Sequence, residues 1–298
     1  ARSALYDKKK ICFVRAQILR AQNSESERYR FTSIEANICI RLIHTKNLKE
    51  FKMRVGVSLP IREMTGDFAA IKDFAQTAEE LGLTHLRIPD QIMRPGSGYV
   101  NEPMMLLANI AAITERIELV PSVIILPARD TVHFGKQAAE LDNLSGGRLR
   151  LGIGVGSSEE EYRYLGKEFS SRGRRCSEQM RLLQDLWINE EVEFSGEFHN
   201  VSGAGLNPLP VQRPIPMWIG GRAKPSQTVI ERIGQISNGW FVLCGPNEIE
   251  EIRAKIATEA IKAGRSAAEI GEEAGVAVVG EREHEWKSRV KEWKEKIY

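Results

Sequence analysis

With 298 residues, 42% of them hydrophobic, the chain is long enough to bury a full core, and it has no run of the roughly 18 apolar residues that a membrane helix needs. A formal charge of +2 points to neither nucleic acid nor an acidic partner. Four scattered cysteines with no C-x-x-C spacing set up neither a disulfide framework nor a zinc site, so a reducing cytoplasm is the expected location.

Residues 1–52 differ in texture from the rest. They carry 12 Lys/Arg against 5 Asp/Glu, while the remainder is net acidic. The stretches ICFVRAQIL and ANICIRLIH are too apolar for a solvated nucleic-acid arm, and no clean apolar segment with a small-residue cleavage site marks a targeting peptide. The expectation is a basic N-terminal appendage, translated from upstream of a start at Met53, ahead of one domain over 53–298.

From Met53 onward, strands and helices alternate. MRVGVSLP (53–60) reads as an apolar strand, and Asp67 caps a helix with Phe68, Ile71, Ala75, Ala78 and Leu81 on its apolar face. THLRIPD (84–90) is a second strand with Asp90 at its carboxyl end, and Pro103 opens the next helix. IELVPSVIIL (117–126) is the third strand, TVHFGKQAAELDNLSGG a helix with a glycine stop, and LRLGIGVG the fourth strand. Gly152, Gly154 and Gly156 follow a G-x-G-x-G spacing. A dinucleotide turn needs G-x-G-x-x-G, whose last glycine falls at Ser157, so these glycines suit a strand closely approached by a neighbour or a ligand. Glu159, Glu160 and Glu161 read as a solvated first helical turn.

A long helix near 174–187 follows, then VEFSGEFHNV (192–201) as a hairpin turning at Ser195 and Gly196. PMWIGG is the fifth strand, Pro225 opens a helix, and SNGWFVL (237–243) is the sixth strand. Asn247 with Glu250 suggests a capping box, GVAVVG (275–280) a seventh strand, and 283–298 a charged helix. Interleaved strands and helices indicate parallel βαβ units, which fit an open doubly wound sheet or an eight-stranded barrel. The eighth strand is lacking. That leaves the edges of the seventh and first strands for a partner chain, or for part of residues 1–52, to cover.

Four stretches, in this order and spacing, carry a family resemblance: AEELGLTHLRIPDQ, AAITERIELVPSVIILPARDTVHFGKQAAELDNLSGGRLRLGIGVG, EEEYRYLG and PVQRPIPMWIGGRAKPSQTVIERIGQISNGWF. Over residues 53–280 the chain resembles the luciferase-like monooxygenase superfamily. The resemblance implies a (β/α)8 TIM barrel, here without its last βα unit and with a non-homologous N-terminal extension. It also implies two-electron oxidoreduction of a small organic substrate with FMN or the deazaflavin coenzyme F420. Asp90 matches an acid near the cofactor ring, with a loop cap as the alternative. Gln91 stands where the family often has an acid-base histidine, and glutamine cannot exchange a proton. Ser122 and Val123 match a pair that several deazaflavin relatives join by a cis peptide behind the ring, although Pro121 departs from the usual small residue. Gly154, Gly156 and Ser157 match positions lining the cofactor site. Gly220, Gly221 and Arg222 match a phosphate grip of backbone N–H groups, a helix start and a cation, with a tight turn as the alternative. The Ser-Val pair and the Asp90-Gln91 position lie nearest the F420 branch, so coenzyme F420 is the expected cofactor and FMN the alternative.

His85, His133, Trp187, Trp218 and Trp240 read as structural, and no metal spacing is legible. A homodimer with a small-molecule substrate is expected, without nucleic acid or membrane. Two rival readings are a non-catalytic flavin-binding relative or degenerate subunit, and an unrelated phosphate-binding barrel.

Overall fold

The computed structural model describes residues 11–15, 54–93, 100–277 and 285–297. Its strands are β1 (Ile11–Arg15), β2 (Arg54–Ser58), β3 (His85–Ile88), β4 (Glu118–Pro121), β5 (Ile124–Ile125), β6 (Leu151–Gly154), β7 (Val192–Ser195), β8 (Asn200–Ala204), β9 (Met217–Ile219), β10 (Gly239–Val242) and β11 (Gly271–Ala277). β7 and β8 pair only with each other, as an antiparallel hairpin. The other nine lie in one parallel sheet, in the order β4-β3-β2-β1-β11-β10-β9-β6-β5.

β4 and β5 are two halves of one run, interrupted at Ser122 and Val123. The Leu119 N–H donates to the Arg148 carbonyl at 2.8 Å, and the Arg150 N–H donates back to Leu119 at 3.1 Å. These bonds join β4 to the chain entering β6, so the sheet turns back on itself as a (β/α)8-type barrel, with β4 and β5 sharing one position. β1 lies between β2 and β11, with Ile11 in register with both Arg54 and Glu273. A strand from the stretch expected as an appendage therefore satisfies the backbone groups on both neighbouring edges.

The helices are α1 (Ile61–Met64), α2 (Phe68–Glu80), α3 (Pro103–Ala111), α4 (Thr131–Leu144), α5 (Glu159–Tyr164), α6 (Arg172–Ile188), α7 (Gln227–Gln235), α8 (Ile249–Lys262) and α9 (Trp286–Ile297). Several starts are fixed by side-chain caps: Asp67 accepts from Ala70 at 3.0 Å, Asp130 from His133 at 3.1 Å and Ser158 from Glu161 at 3.2 Å. Three local expectations need correction. Phe68 is exposed, because the buried face of α2 runs through Ala70, Ile71, Phe74, Ala75 and Ala78. α8 is capped at Glu248 with no side-chain bond, so Asn247 and Glu250 form no capping box. The last sheet strand is Gly271–Ala277, shifted towards the N-terminus because Gly271 to Ala274 pair with β10; the end of the expected 275–280 strand lies outside the described residues.

Strand parity sorts the side chains. Val55, Val57, Leu86, Ile88, Leu119, Leu151, Ile153, Met217, Ile219 and Val242 join one large apolar cluster with the helices. Each contributes about 1.5–3 kcal/mol when fully buried. Val120, Trp218 and Phe241 form a separate cluster, with Val123 packed against it. Alternating with the outward set, Arg54, His85, Arg87, Glu118, Arg150 and Glu273 meet one another within the barrel, which is packed with ions and aromatic rings.

Candidate active site

The mouth is built at the carboxyl ends of the strands, where loops are free to vary without disturbing the barrel. Its central feature is the break between β4 and β5. The Ser122-Val123 peptide is cis. The partly exposed Val123 side chain rests on two glycines from neighbouring strands. A Cβ on Gly154 would come within 2.5 Å of Val123 Cγ2, and one on Gly220 would meet Val123 Cγ1 as closely. Gly156 lies just beyond, at φ +66°, and a Cβ there would sit 2.8 Å from Ile125 Cγ2. The group that approaches these glycines is thus the chain's own 123–125 segment, and Val123 forms an apolar wall over β5, β6 and β9.

Asp90 holds that segment. Its Oδ2 accepts from the Ile125 N–H at 2.9 Å, and its Oδ1 pairs with Arg129 Nη2 at 2.9 Å. Arg129 also reaches Glu102 at 3.1 Å, and the Asp90 side chain is only 1% exposed. Gln91 is half-buried and Ser157 is exposed. Glu161 is a correction: it was expected on a solvated turn, yet it is 3% exposed, and its Oε1 accepts from the Ile92 and Met93 N–H groups at 2.9 and 3.0 Å. It ties the loop after β3 to α5. Its neighbour Tyr162 donates to the Val155 carbonyl at 2.7 Å, and burial holds its phenol well above the ordinary range, so it stays protonated.

The phosphate candidates lie across the mouth. The Gly220 N–H is spent on the Ile153 carbonyl at 2.8 Å, which continues the ladder. Gly221 and Arg222 are exposed, and α7 begins only at Gln227, after Ser226, whose side chain makes no cap bond. A Cβ on Gly221 would meet Val229 Cγ1 at 3.6 Å, an ordinary contact, which sets this loop against the first turn of α7. Ile92, Met93 and Leu243 are exposed apolar side chains in the loops after β3 and β10. Apolar wall, open apolar rim and cationic corner together suit a flat ring with an acidic tail.

Beneath the mouth lies a network that sequence reading missed. Arg87 donates from Nε to Ser122 Oγ at 2.9 Å, from Nη2 to the same oxygen, and from Nη1 to Glu273 Oε1 at 3.0 Å. Arg150 reaches Glu273 Oε2 at 2.9 Å and Glu118 at 3.0 Å, and Arg54 reaches Glu118 at 2.8 Å. Burial works to raise the Glu273 carboxyl, but the Arg150 and Arg87 guanidiniums outweigh it and hold that group far below the usual carboxylate range. Burial pushes the His85 imidazole down against the pull of Glu273, so His85 stays neutral. The overlooked signal was parity: single charges at inward positions of otherwise apolar strands, as in HLRI and ELVP.

Away from the mouth, Glu178 Oε1 lies 2.8 Å from His199 Nδ1, and His199 Nε2 lies 2.6 Å from Thr131 Oγ1. This has the order of a hydrolytic triad. Thr131 is 2% exposed, however, and its hydroxyl also accepts from Gln179 at 2.8 Å, so the chain of bonds serves to clasp the hairpin to α4 and α6. A depression of about 510 Å³ lies beside α5, next to the loop after β6, and one of about 320 Å³ lies between α8 and β11. Among the described residues, no group of three or more His, Cys, Asp or Glu is placed to hold a metal, and no helix is long and apolar enough to cross a membrane.

Comparison with known proteins gives this geometry its setting. The family model for luciferase-like monooxygenases matches residues 53–296. An F420-dependent glucose-6-phosphate dehydrogenase of Gordonia bronchialis is 29% identical over 204 residues, 66% of this chain and 59% of that one. An FMNH(2)-dependent dimethylsulfone monooxygenase of Pseudomonas putida is 28% identical over 180 residues, 58% of this chain and 49% of that one. The crystal structure of monooxygenase RslO1 from Streptomyces bottropensis superposes with a TM-score of 0.65 at 23% identity, covering 74% of this chain and 70% of that one, which shows a shared fold.

Proposed function

The chain belongs to the luciferase-like monooxygenase family, and from that premise we propose that it is an oxidoreductase binding coenzyme F420, with FMN as the alternative, at the barrel mouth. In this reading a hydride passes between cofactor and a small organic substrate. The observation that carries it is the Val123 wall, seated on Gly154 and Gly220 and opening onto the apolar rim. A ring needs such a flat, apolar backing, and the cofactor supplies the redox chemistry itself.

Each residue then has a definite task. Val123 backs the ring. Asp90 fixes the wall through Ile125 and Arg129; with both oxygens engaged, it positions and does not move a proton. Gln91, beside it, orients by hydrogen bonding. Arg222 and the first-turn amides of α7 hold the acidic tail. Gly156 and Ser157 bring the loop after β6 to the rim, and Glu161 holds Ile92 and Met93 beside it. The protein works as a homodimer in the cytoplasm.

Oxygenation with reduced FMN is the second reading, favoured by the likeness to the dimethylsulfone monooxygenase. Equilibrium titration with oxidised and reduced coenzyme F420 and FMN, read by ring fluorescence, tests both. Tight binding of the deazaflavin supports the first reading, and preference for FMN supports the second. Binding of neither, up to about 100 times a typical micromolar Kd, refutes the proposal.

A further inference from the structure

Arg150 and Arg87 alternate with two aromatic rings inside the barrel. The Arg150 guanidinium carbon lies 4.4 Å from the Trp218 ring centroid and 5.8 Å from that of Phe241. The Arg87 carbon lies 4.5 Å from Phe241, and the two rings are 5.8 Å apart. Glu273 ties the column together by accepting Arg87 on one oxygen and Arg150 on the other. The column has a direction. The Arg150 side chain is fully buried, whereas that of Arg87 is 16% exposed and is bonded to Ser122, the residue preceding the Val123 wall. The end nearest the mouth is therefore a planar cation, held on one face by Phe241 and along its edges by Ser122 and Glu273.

We propose that Arg87 is a positioning residue that biases the bound cofactor towards its reduced form; this rests on the cofactor reading given above. A hydride from the substrate's C–H bond brings two electrons and one proton to the ring, and the substrate is left oxidised by two electrons. The hydride would add one unit of negative charge to the ring, and a fixed guanidinium at the wall would favour the form that carries it. Its orientation is already set by Ser122 and Glu273, so little reorganisation accompanies the transfer. Arginine suits the place because it stays charged when buried and stacks on aromatic faces.

The test uses the full chain and the ratio of dissociation constants for the oxidised and reduced cofactor. Arg87→Met should lower the preference for the reduced form about tenfold, about 30 mV for a two-electron couple. Arg87→Lys keeps a charge but loses the stacking on Phe241 and the fork on Ser122, and should retain part of the preference, with a loss smaller than that of Arg87→Met. Arg87→Met leaves Glu273 Oε1 without its guanidinium while Arg150 keeps Oε2, so Arg87→Met/Glu273→Gln is made beside it; it is expected to fold and to show a smaller loss in the same direction, because the carboxylate that opposes negative charge on the ring goes with the cation. If that double variant binds both forms with the wild-type ratio, the inference is overturned and the cofactor reading stands. If wild-type protein binds neither form, both are overturned.

Discussion

Gly154→Ala tests the wall most directly. The added methyl would stand 2.5 Å from Val123 Cγ2, about 1.5 Å inside ordinary carbon contact. Valine has little freedom at χ1, and rotation offers no relief, because Gly220 already receives the other methyl. Asp90 pins the following segment through Ile125, so the backbone cannot simply retreat. Overpacking of this kind costs about 1–3 kcal/mol. In a chain of 298 residues about 2 kcal/mol corresponds to a fall in melting temperature of about 3 °C. Val123→Ala in the same background should remove the clash, so that the pair shows a coupling of about 1 kcal/mol or more in a double-mutant cycle followed by urea unfolding. Val123→Ala alone should weaken ring binding while changing stability less. If the two substitutions add within about 0.5 kcal/mol, Val123 does not fill the space over Gly154 and the account of the wall is wrong.

Asp90→Asn keeps an acceptor for Ile125 but loses the charged partner of Arg129; a loss of about 1.5–3 kcal/mol is expected in chemical denaturation, and unchanged stability would refute the clamp. Arg222→Ala should weaken cofactor binding about tenfold or more in fluorescence titration, with added phosphate competing less against the variant than against wild type. Acid should destabilise the fold in two stages. The folded His85 resists protonation, so its contribution is lost as pH falls below its ordinary value of 6.5. Glu273 has a depressed folded pKa, so its contribution is present above 4.5 and lost below it. Melting curves against pH should lose the first stage in His85→Gln. Removal of residues 1–52 takes away β1 and opens the edges of β2 and β11, so a lower melting temperature and self-association are expected; an unchanged melt would show that β1 adds nothing.

What the sequence made legible was local or periodic. Strand and helix succession followed from apolar spacing, and Asp67 announced its cap three residues ahead of Ala70. Asp90 lies two residues beyond the end of β3, as read, but its partners Ile125 and Arg129 lie over thirty positions away, so the clamp they form was not readable from the sequence. The alternating glycines suggested the approach of a flat ring; in the fold the groups against Gly154 and Gly156 are Val123 and Ile125, whose positions depend on the contact between adjacent strands. Glu161 sits in an acidic run that looks solvated; only the Ile92 and Met93 amides, brought over from another loop, make its burial sensible. Inward parity of Arg87, Arg150 and Glu273 was readable in principle, but their pairing required the barrel to close.

The ionic interior has a thermodynamic consequence of its own. Exposing charged and hydrogen-bonding surface on unfolding lowers the heat-capacity increment that exposed hydrocarbon raises. A barrel packed with Arg54, Glu118, Arg150 and Glu273 in place of stacked aliphatic layers therefore has a flatter stability curve than its chain length implies. Hydration of such ions becomes less favourable on warming, so the penalty for keeping them dry shrinks as temperature rises. The same side chains that complicate assembly of the barrel in the cold thus broaden the range over which it stays closed.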